Sequence, residues 1–362
     1  MREPHAVERF VHIGLPGRVV YGPGAISTLR EEIGRLGVAR VMICCTPGRR
    51  VVAEELAGRS RGQIAAVCAE ARPHVPVEVV AVAREAARQA AADGLVAYGG
   101  GSAIGLAKMI AHSADIPIIA VPTTFSGSES TNLEGMLEDG VKRLHQSERM
   151  LPATIIYDPE LVRGLPREVA IPSGFNAIAH AVEAFYSSGA NPFASLLAEE
   201  GLGMMARALE HLVADPRSLD AWGLGLRAAW LCGQPIVSAG IALHHKAAHV
   251  VGGSWGLSHA DTHTALLPHA IAYNADAAPD AMTRISRALG TADTHPAKSM
   301  FDLMERVGAP VALRDLGFPE AGIEQAVAMI LAAPCENPRP LAAQPLRTML
   351  ENAWRGTAPA SA

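Results

Sequence analysis

The sequence predicts an α/β protein in two parts: a Rossmann-like parallel sheet flanked by helices, then an all-helical second half. Three observations carry this. Short runs of apolar and β-branched residues alternate with helical patterns up to about residue 160. After Asp158-Pro159 the strand signal vanishes and helical periodicity continues almost to the end. A glycine-rich turn, Gly99-Gly100-Gly101-Ser102, joins one apolar run to the helix that follows it. A nucleotide-binding domain is therefore expected over residues 1–160 and a helical substrate domain over 161–362.

The expected strands are Val41–Cys45, Ile64–Val67, Gly94–Tyr98, Pro117–Val121 and Thr154–Tyr157. Each is continuously apolar rather than alternating, as suits a parallel strand buried on both faces. Helices are expected between them, over Ala25–Leu36, Val51–Leu56, Val80–Ala92 and Ala103–His112. Asn132 to Arg143 reads as a hairpin turning at Asp139-Gly140. In the second half, prolines at 166, 172, 216, 268, 279, 310 and 319 read as punctuation between helices. The tail RGTAPASA reads as frayed, and no internal repeat is present.

Composition narrows the class. Apolar residues make up 49% of 362, enough for two cores, and 19% charged residues argue against disorder. A net charge of -5 without a long basic run argues against nucleic acid. An anionic substrate would need local cations instead. Five cysteines without a CxxC pair suit a reducing compartment. MREPHAVERF lacks the apolar core of a secretory signal, and no run of about 18 uncharged apolar residues exists to span a membrane. A cytoplasmic enzyme is expected.

Three loops suggest a nucleotide. In Gly99-Gly100-Gly101-Ser102 the backbone can approach a phosphate, and the helix amides behind it can donate to the anion; a tight turn that binds nothing has the same composition. Pro122 to Glu129 (PTTFSGSE) offers Thr123, Thr124 and Ser128 at a strand end, as a dinucleotide crevice or as an ordinary polar loop. Thr46, Arg49 and Arg50 follow the first expected strand, where NAD-binding proteins often carry an acid. That pattern tolerates a 2′-phosphate, and equally suits a solvated loop.

A fourth stretch, LHHKAAHVVGGSWGLSH (Leu243 to His259), concentrates histidines between glycines. His245 and His249 share a helical face, and His180 stands one turn after Asn176 in FNAIAHAVEAFY. A lone buried histidine is usually structural, but this many together read as a site.

In this order, VVYGPGA, GGGSAIGLAK, PTTFSGSE, YDPEL, NAIAHAVE and the histidine stretch resemble the iron-containing alcohol dehydrogenase superfamily, which shares the dehydroquinate synthase-like fold. The resemblance covers nearly the whole chain. In metal-dependent members the ligands are an Asp, a His four residues later, and two His fourteen apart. His180 matches the first histidine, His245 and His259 match the pair, and His249 matches a non-ligand histidine of the active site. The aspartate position holds Asn176. Three histidines can hold zinc, but Fe²⁺ loses its one anionic donor.

Asn176, the compact PTTFSGSE and NPRP (Asn337 to Pro340) resemble one branch of that superfamily, the maleylacetate reductases. The resemblance implies NADH or NADPH as cofactor and reduction of the carbon–carbon double bond of maleylacetate to 3-oxoadipate, in aromatic degradation. It also implies a homodimer and no metal, leaving Asn176, His180, His245 and His259 as a degenerate site. Gly99 to Ser102, Thr46, Arg49, Thr123, Thr124 and Ser128 would then hold the nucleotide. His249 and His245 would polarise and protonate, with His180 and His259 lining the pocket. Asn176, Lys246, Lys142 and Arg339 are candidates for the dicarboxylate. The rivals are a metal-dependent (Fe or Zn) alcohol or polyol dehydrogenase, a dehydroquinate-synthase-like lyase, and a nucleotide-binding protein without catalysis.

Overall fold

Consecutive apolar residues become strands, and the four inner ones are covered on both faces while Ile64–Cys68 lies at an edge, partly exposed. The computed structural model describes residues 17–60, 62–291, 295–333 and 335–360. Its first half contains β1 (Arg18–Tyr21), β2 (Val41–Cys44), β3 (Ile64–Cys68), β4 (Gly94–Gly99) and β5 (Ile118–Pro122). The hairpin β6 (Leu133–Glu138) and β7 (Val141–Gln146) follows, then β8 (Thr154–Tyr157). Six strands form one parallel sheet, ordered β1-β8-β5-β4-β2-β3. The hairpin stands apart and turns at Asp139-Gly140, both with positive φ. β1 was not among the expected strands: RVVY is a half-exposed edge strand without a long apolar run.

The helices α1 (Leu29–Arg35), α2 (Arg50–Arg59), α3 (Val77–Gln89) and α4 (Gly101–Ala114) cover the two faces. Met42, Cys44, Leu95 and Ala97 pack with α3 and α4; Ile43, Val96 and Tyr98 pack with Leu29, Ile33 and Ala53 on the other side. From β2 the chain moves outward to β3, whereas from β4 it moves the other way to β5. The switch point thus lies between β2 and β4, where open α/β sheets bind their ligands.

The second half is helical: α5 (Pro159–Val162), α6 (Arg167–Ala184), α7 (Pro192–Ala214), α8 (Leu219–Gly233), α9 (Ile236–Ala239), α10 (Leu243–Trp255), α11 (His259–Asn274), α12 (Pro279–Leu289), α13 (Pro296–Val307), α14 (Gly322–Ala332) and α15 (Ala343–Arg355). Asp158, Asn191 and Ser218 cap α5, α7 and α8 through their side chains. Two prolines read as breakers do not break anything: Pro172 lies within α6 and Pro268 within α11. Both helices are buried nearly all round, so packing outweighs the lost backbone bond. α6 is the central helix, buried from Ala170 through Ala184.

The two halves touch without side chains at one place. A Cβ on Gly233 of α8 would lie 2.2 Å from the carbonyl oxygen of Gly127, in the loop after β5. Among the described residues no single helix is long and apolar enough to cross a membrane. The segment Met1 to Phe10, read above for a signal, and the last two residues of the tail lie outside the described residues.

Candidate active site

The loops after β2, β4 and β5 meet at the carboxyl edge of the sheet. They line one cleft of about 520 Å³, partly open to solvent. All nine residues expected to touch a nucleotide face it: Thr46, Arg49, Gly99, Gly100, Gly101, Ser102, Thr123, Thr124 and Ser128. No side chain caps the amino end of α4, so its first amides point an unneutralised dipole at the cleft. A Cβ on Gly100 would come within 2.7 Å of Thr124 Cγ2, so bare backbone is what lets the two loops close together. The facing wall comes from Pro172, Ser173 and Asn176 of α6 and from Ser258 to Asp261 at the start of α11.

The cleft continues into a deeper pocket. Ser128, Glu134, Lys142, Asn176 and His259 line both, and His180, His245 and His249 face the inner one. Three helices supply these rings: His180 from α6, His245 and His249 one turn apart on α10, and His259 opening α11. His180 stacks on His245 at 5.0 Å between centroids, and His249 stacks on His259 at 5.8 Å. Lys142 reaches in from the hairpin.

A buried network fixes the loops around the pocket. Lys108 of α4 donates to Thr131 Oγ1 at 2.9 Å and to the carbonyls of Ser128 and Leu133. Tyr157 donates to Glu129 at 2.9 Å, and Ser126 also bonds Glu129. Burial pushes Lys108 down to about 8, with Glu134 and Glu129 opposing.

Glu183 is the acid of the helical half, wholly buried. It accepts the backbone N–H groups of Ala242 (2.9 Å) and His244 (2.6 Å), and Nδ1 of His245 lies 2.6 Å away. Burial raises this carboxyl, while His244 and the backbone amides draw it back. Because every neighbour is a donor, Glu183 acts as acceptor and His245 keeps its proton on Nδ1. Burial, and after it Lys142, pushes His245 down to about 3. The same two causes hold His249 and His259 well below the ordinary imidazole range; burial and His245 do so for His180. The pocket is thus lined by neutral imidazoles. Nε2 of His245, Nδ1 of His180, Nε2 of His263 and Oδ1 of Asn176 are buried with no hydrogen-bond partner among the described residues. The Asn176 amide is anchored by donating to the Ser126 carbonyl at 2.9 Å.

Two expected substrate cations are elsewhere. Lys246 lines neither cavity, because adjacent helical residues point about 100° apart and His245 takes the inward direction. Arg339 lies over the Tyr273 ring at 4.7 Å and donates to the Tyr273 carbonyl, in a separate cavity against α15. The NPRP segment is structural here: the Asn337 and Asn274 amides bond each other, and Asn337 accepts from Leu243 N at the start of α10. Sequence reasoning missed Glu183, His263 and His244. Glu183 stands one turn after His180 in an apolar run, and His263 one turn after His259; helical spacing alone could have found both.

A switch-point cleft for a dinucleotide, opening onto buried imidazoles, defines an NAD(P)H-dependent oxidoreductase. The model for iron-containing alcohol dehydrogenase matches residues 16–159, and that for the Fe-containing alcohol dehydrogenase family, C-terminal, matches residues 170–354. The chain belongs to the iron-containing alcohol dehydrogenase family. It is 44% identical to a maleylacetate reductase of Burkholderia cepacia over 342 residues, 94% of this chain and 97% of that one. The crystal structure of maleylacetate reductase from Rhizobium sp. strain MTP-10005 superposes with a TM-score of 0.91 at 40% identity, covering 98% of this chain and 100% of that one. An iron-containing alcohol dehydrogenase from Corynebacterium glutamicum gives 0.91 at 38% identity, covering 97% and 98%.

These matches correct the expectation that no metal is needed: the family and a full-length neighbour are iron-containing. The residues present fit such an ion. Several buried imidazoles are held neutral, and their nitrogens are without partners, as ligand nitrogens must be. The neutral amide at Asn176 removes one anionic donor but leaves the imidazole nitrogens around it available.

Proposed function

We propose that the chain reduces the carbon–carbon double bond of maleylacetate with NADH or NADPH, giving 3-oxoadipate, in the breakdown of aromatic compounds. The observation that carries this is full-length likeness to maleylacetate reductases, 44% identical across 94% of the chain. The pocket suits the chemistry. A dicarboxylate conjugated to a ketone needs one cation for a carboxylate, and Lys142 is the expected cation that lines the pocket. Hydride from the nicotinamide forms a C–H bond at the carbon β to the ketone, and the displaced π pair moves onto the ketone oxygen. A proton then adds at the α carbon.

In this reading Gly100, Gly101 and Ser102 hold the diphosphate on the amino end of α4. Thr46 and Arg49 face the ribose end, where an arginine accommodates a 2′-phosphate. Asn176 stands where cleft and pocket join and fixes substrate orientation. His245, whose proton Glu183 holds on Nδ1, turns an unprotonated Nε2 to the reacting end and orients the solvent water that supplies the proton, while His180, His249 and His259 line the pocket. Histidine nitrogens of this cluster would hold the family's iron, whose chemistry when bound is to polarise a carbonyl oxygen. Division near residue 160, a homodimer and a cytoplasmic location belong to the same reading; free cysteines throughout support the last.

A second reading, an alcohol or polyol dehydrogenase, is favoured by the iron-containing neighbour. NADH and NADPH consumption should be followed with maleylacetate, with product identified by mass spectrometry, beside the reverse reaction on an alcohol panel. Stoichiometric 3-oxoadipate supports the proposal. Turnover of alcohols with no reduction of maleylacetate overturns it.

A further inference from the structure

We propose that this chain binds a small amphipathic monocarboxylate at a second site, the cavity between α11 and α15 that Arg339 lines. The inference does not depend on which reaction the histidine pocket catalyses.

The cavity has a volume of about 390 Å³, in the range that holds a small molecule. It stands apart from the reacting pocket and the nucleotide cleft, with no lining residue in common with either. His269, on its wall, follows His259 by ten residues on α11, about 15 Å along the helix axis.

Arg339 is presented rigidly. Pro338 and Pro340 flank it and restrict its backbone. Its N–H donates to Asn274 Oδ1 at 3.4 Å, and Nη1 donates to the Tyr273 carbonyl at 3.3 Å. The guanidinium lies over the Tyr273 ring, and that ring is fixed in turn by the bond from its hydroxyl to the Pro340 carbonyl at 2.9 Å. A guanidinium carries five N–H donors in a planar fork that matches a carboxylate, so most of its donors remain for a ligand. Holding the fork in place beforehand lowers the cost of binding.

The surroundings select the ligand class. Among the described residues no Asp or Glu lines the cavity, and Arg339 is its one permanent cation. His269 is 4% exposed, and its Nε2 is buried without a partner. Burial pushes it down to about 4, so at neutral pH it adds hydrogen-bonding capacity and no second charge. Ala272, Pro345, Met349 and Pro359 supply carbon to the wall. One cation beside apolar surface matches one carboxylate on an apolar body. A diphosphate or a dicarboxylate would need further cations.

Benzoate, an apolar ring bearing one carboxylate, should be titrated calorimetrically into the full-length Lys142→Met protein, which lacks the cation of the reacting pocket. One equivalent per chain should bind. Arg339→Met in that background should weaken binding by more than about tenfold, the worth of a charge-assisted bond. Thr348→Trp, at an exposed position of α15 on the cavity wall, should do the same by filling the space. Benzamide, of the same shape without the charge, should bind more than about tenfold more weakly than benzoate. Circular dichroism selects folded variants, and either cavity variant suffices. Absence of saturable benzoate binding, equal affinity for benzamide, or unchanged benzoate affinity in a folded cavity variant overturns the proposal.

Discussion

Nδ1 of His245 lies 2.6 Å from Oε2 of Glu183, inside the core of the helical half, with backbone amides from the start of α10 on the same carboxylate. The acid therefore does two jobs at once. It terminates α10 as a buried anion at the helix amino end, and it sets which nitrogen of His245 faces the pocket.

Replacing Glu183 by Gln tests the second job. The amide would place an N–H₂ group against donors, and the His245 ring would lose its fixed tautomer. We expect kcat to fall about 10- to 100-fold, with little change in nucleotide affinity. Steady-state kinetics and nucleotide titration decide; an unchanged kcat removes Glu183 from a positioning role.

Lys142 and Arg339 separate two kinds of cation. Lys142→Met should raise KM for the dicarboxylate about 10- to 100-fold, the worth of a charge-assisted bond, and leave NADH affinity unaltered. Arg339→Ala should leave KM alone and cost about 1 kcal/mol of stability through the lost Tyr273 contact. Kinetics on both variants beside denaturant melts would show whether the roles are reversed.

That contrast marks what was legible in the sequence. The sheet could be read because β2, β4 and β5 are buried on both faces and so uninterrupted by polar residues; β1, at an edge, could not. The loops that line the cleft were legible because glycines and hydroxyls follow strand ends directly. Pairings across the fold were not. Glu183 and His245 are 62 residues apart, and nothing local to either names the other. Charge type alone placed Arg339 at the substrate, although its partner is an aromatic ring. The expectation of no metal rested on the lost anionic donor at Asn176 and on the resemblance to one branch, and the family's iron-containing members overturn it.

Gly100 offers a steric test of the nucleotide cleft. Gly100→Ala should weaken NADH binding by roughly tenfold or more, because the new methyl would collide with Thr124 Cγ2 and spread the loops. Adding Thr124→Ala removes that methyl and should restore part of the loss. Fluorescence titration of NADH into both variants checks the pair; a single variant that binds normally shows that the loops need not close.

Lys108 gives a pH signature. Its folded value is about 8, against 10.5 for an ordinary lysine, so between those values the unfolded chain binds more protons and stability from this residue rises with pH. Relative to Lys108→Met, the wild-type protein should gain about 2 kcal/mol between pH 7.5 and 9.5. Urea melts of both proteins at the two pH values measure it, and parallel behaviour would show that Lys108 titrates as in the unfolded chain.

The contact between Gly127 and Gly233 has an evolutionary consequence. One glycine lies in the parallel-sheet half and the other in the helical half that carries the histidines, and a methyl on Gly233 would stand 2.2 Å from a backbone oxygen. Halves exchanged between two relatives would seat only when both parents carry a bare backbone at this seam. A side chain at either position would therefore require a compensating change across the seam, so the two positions are expected to vary together.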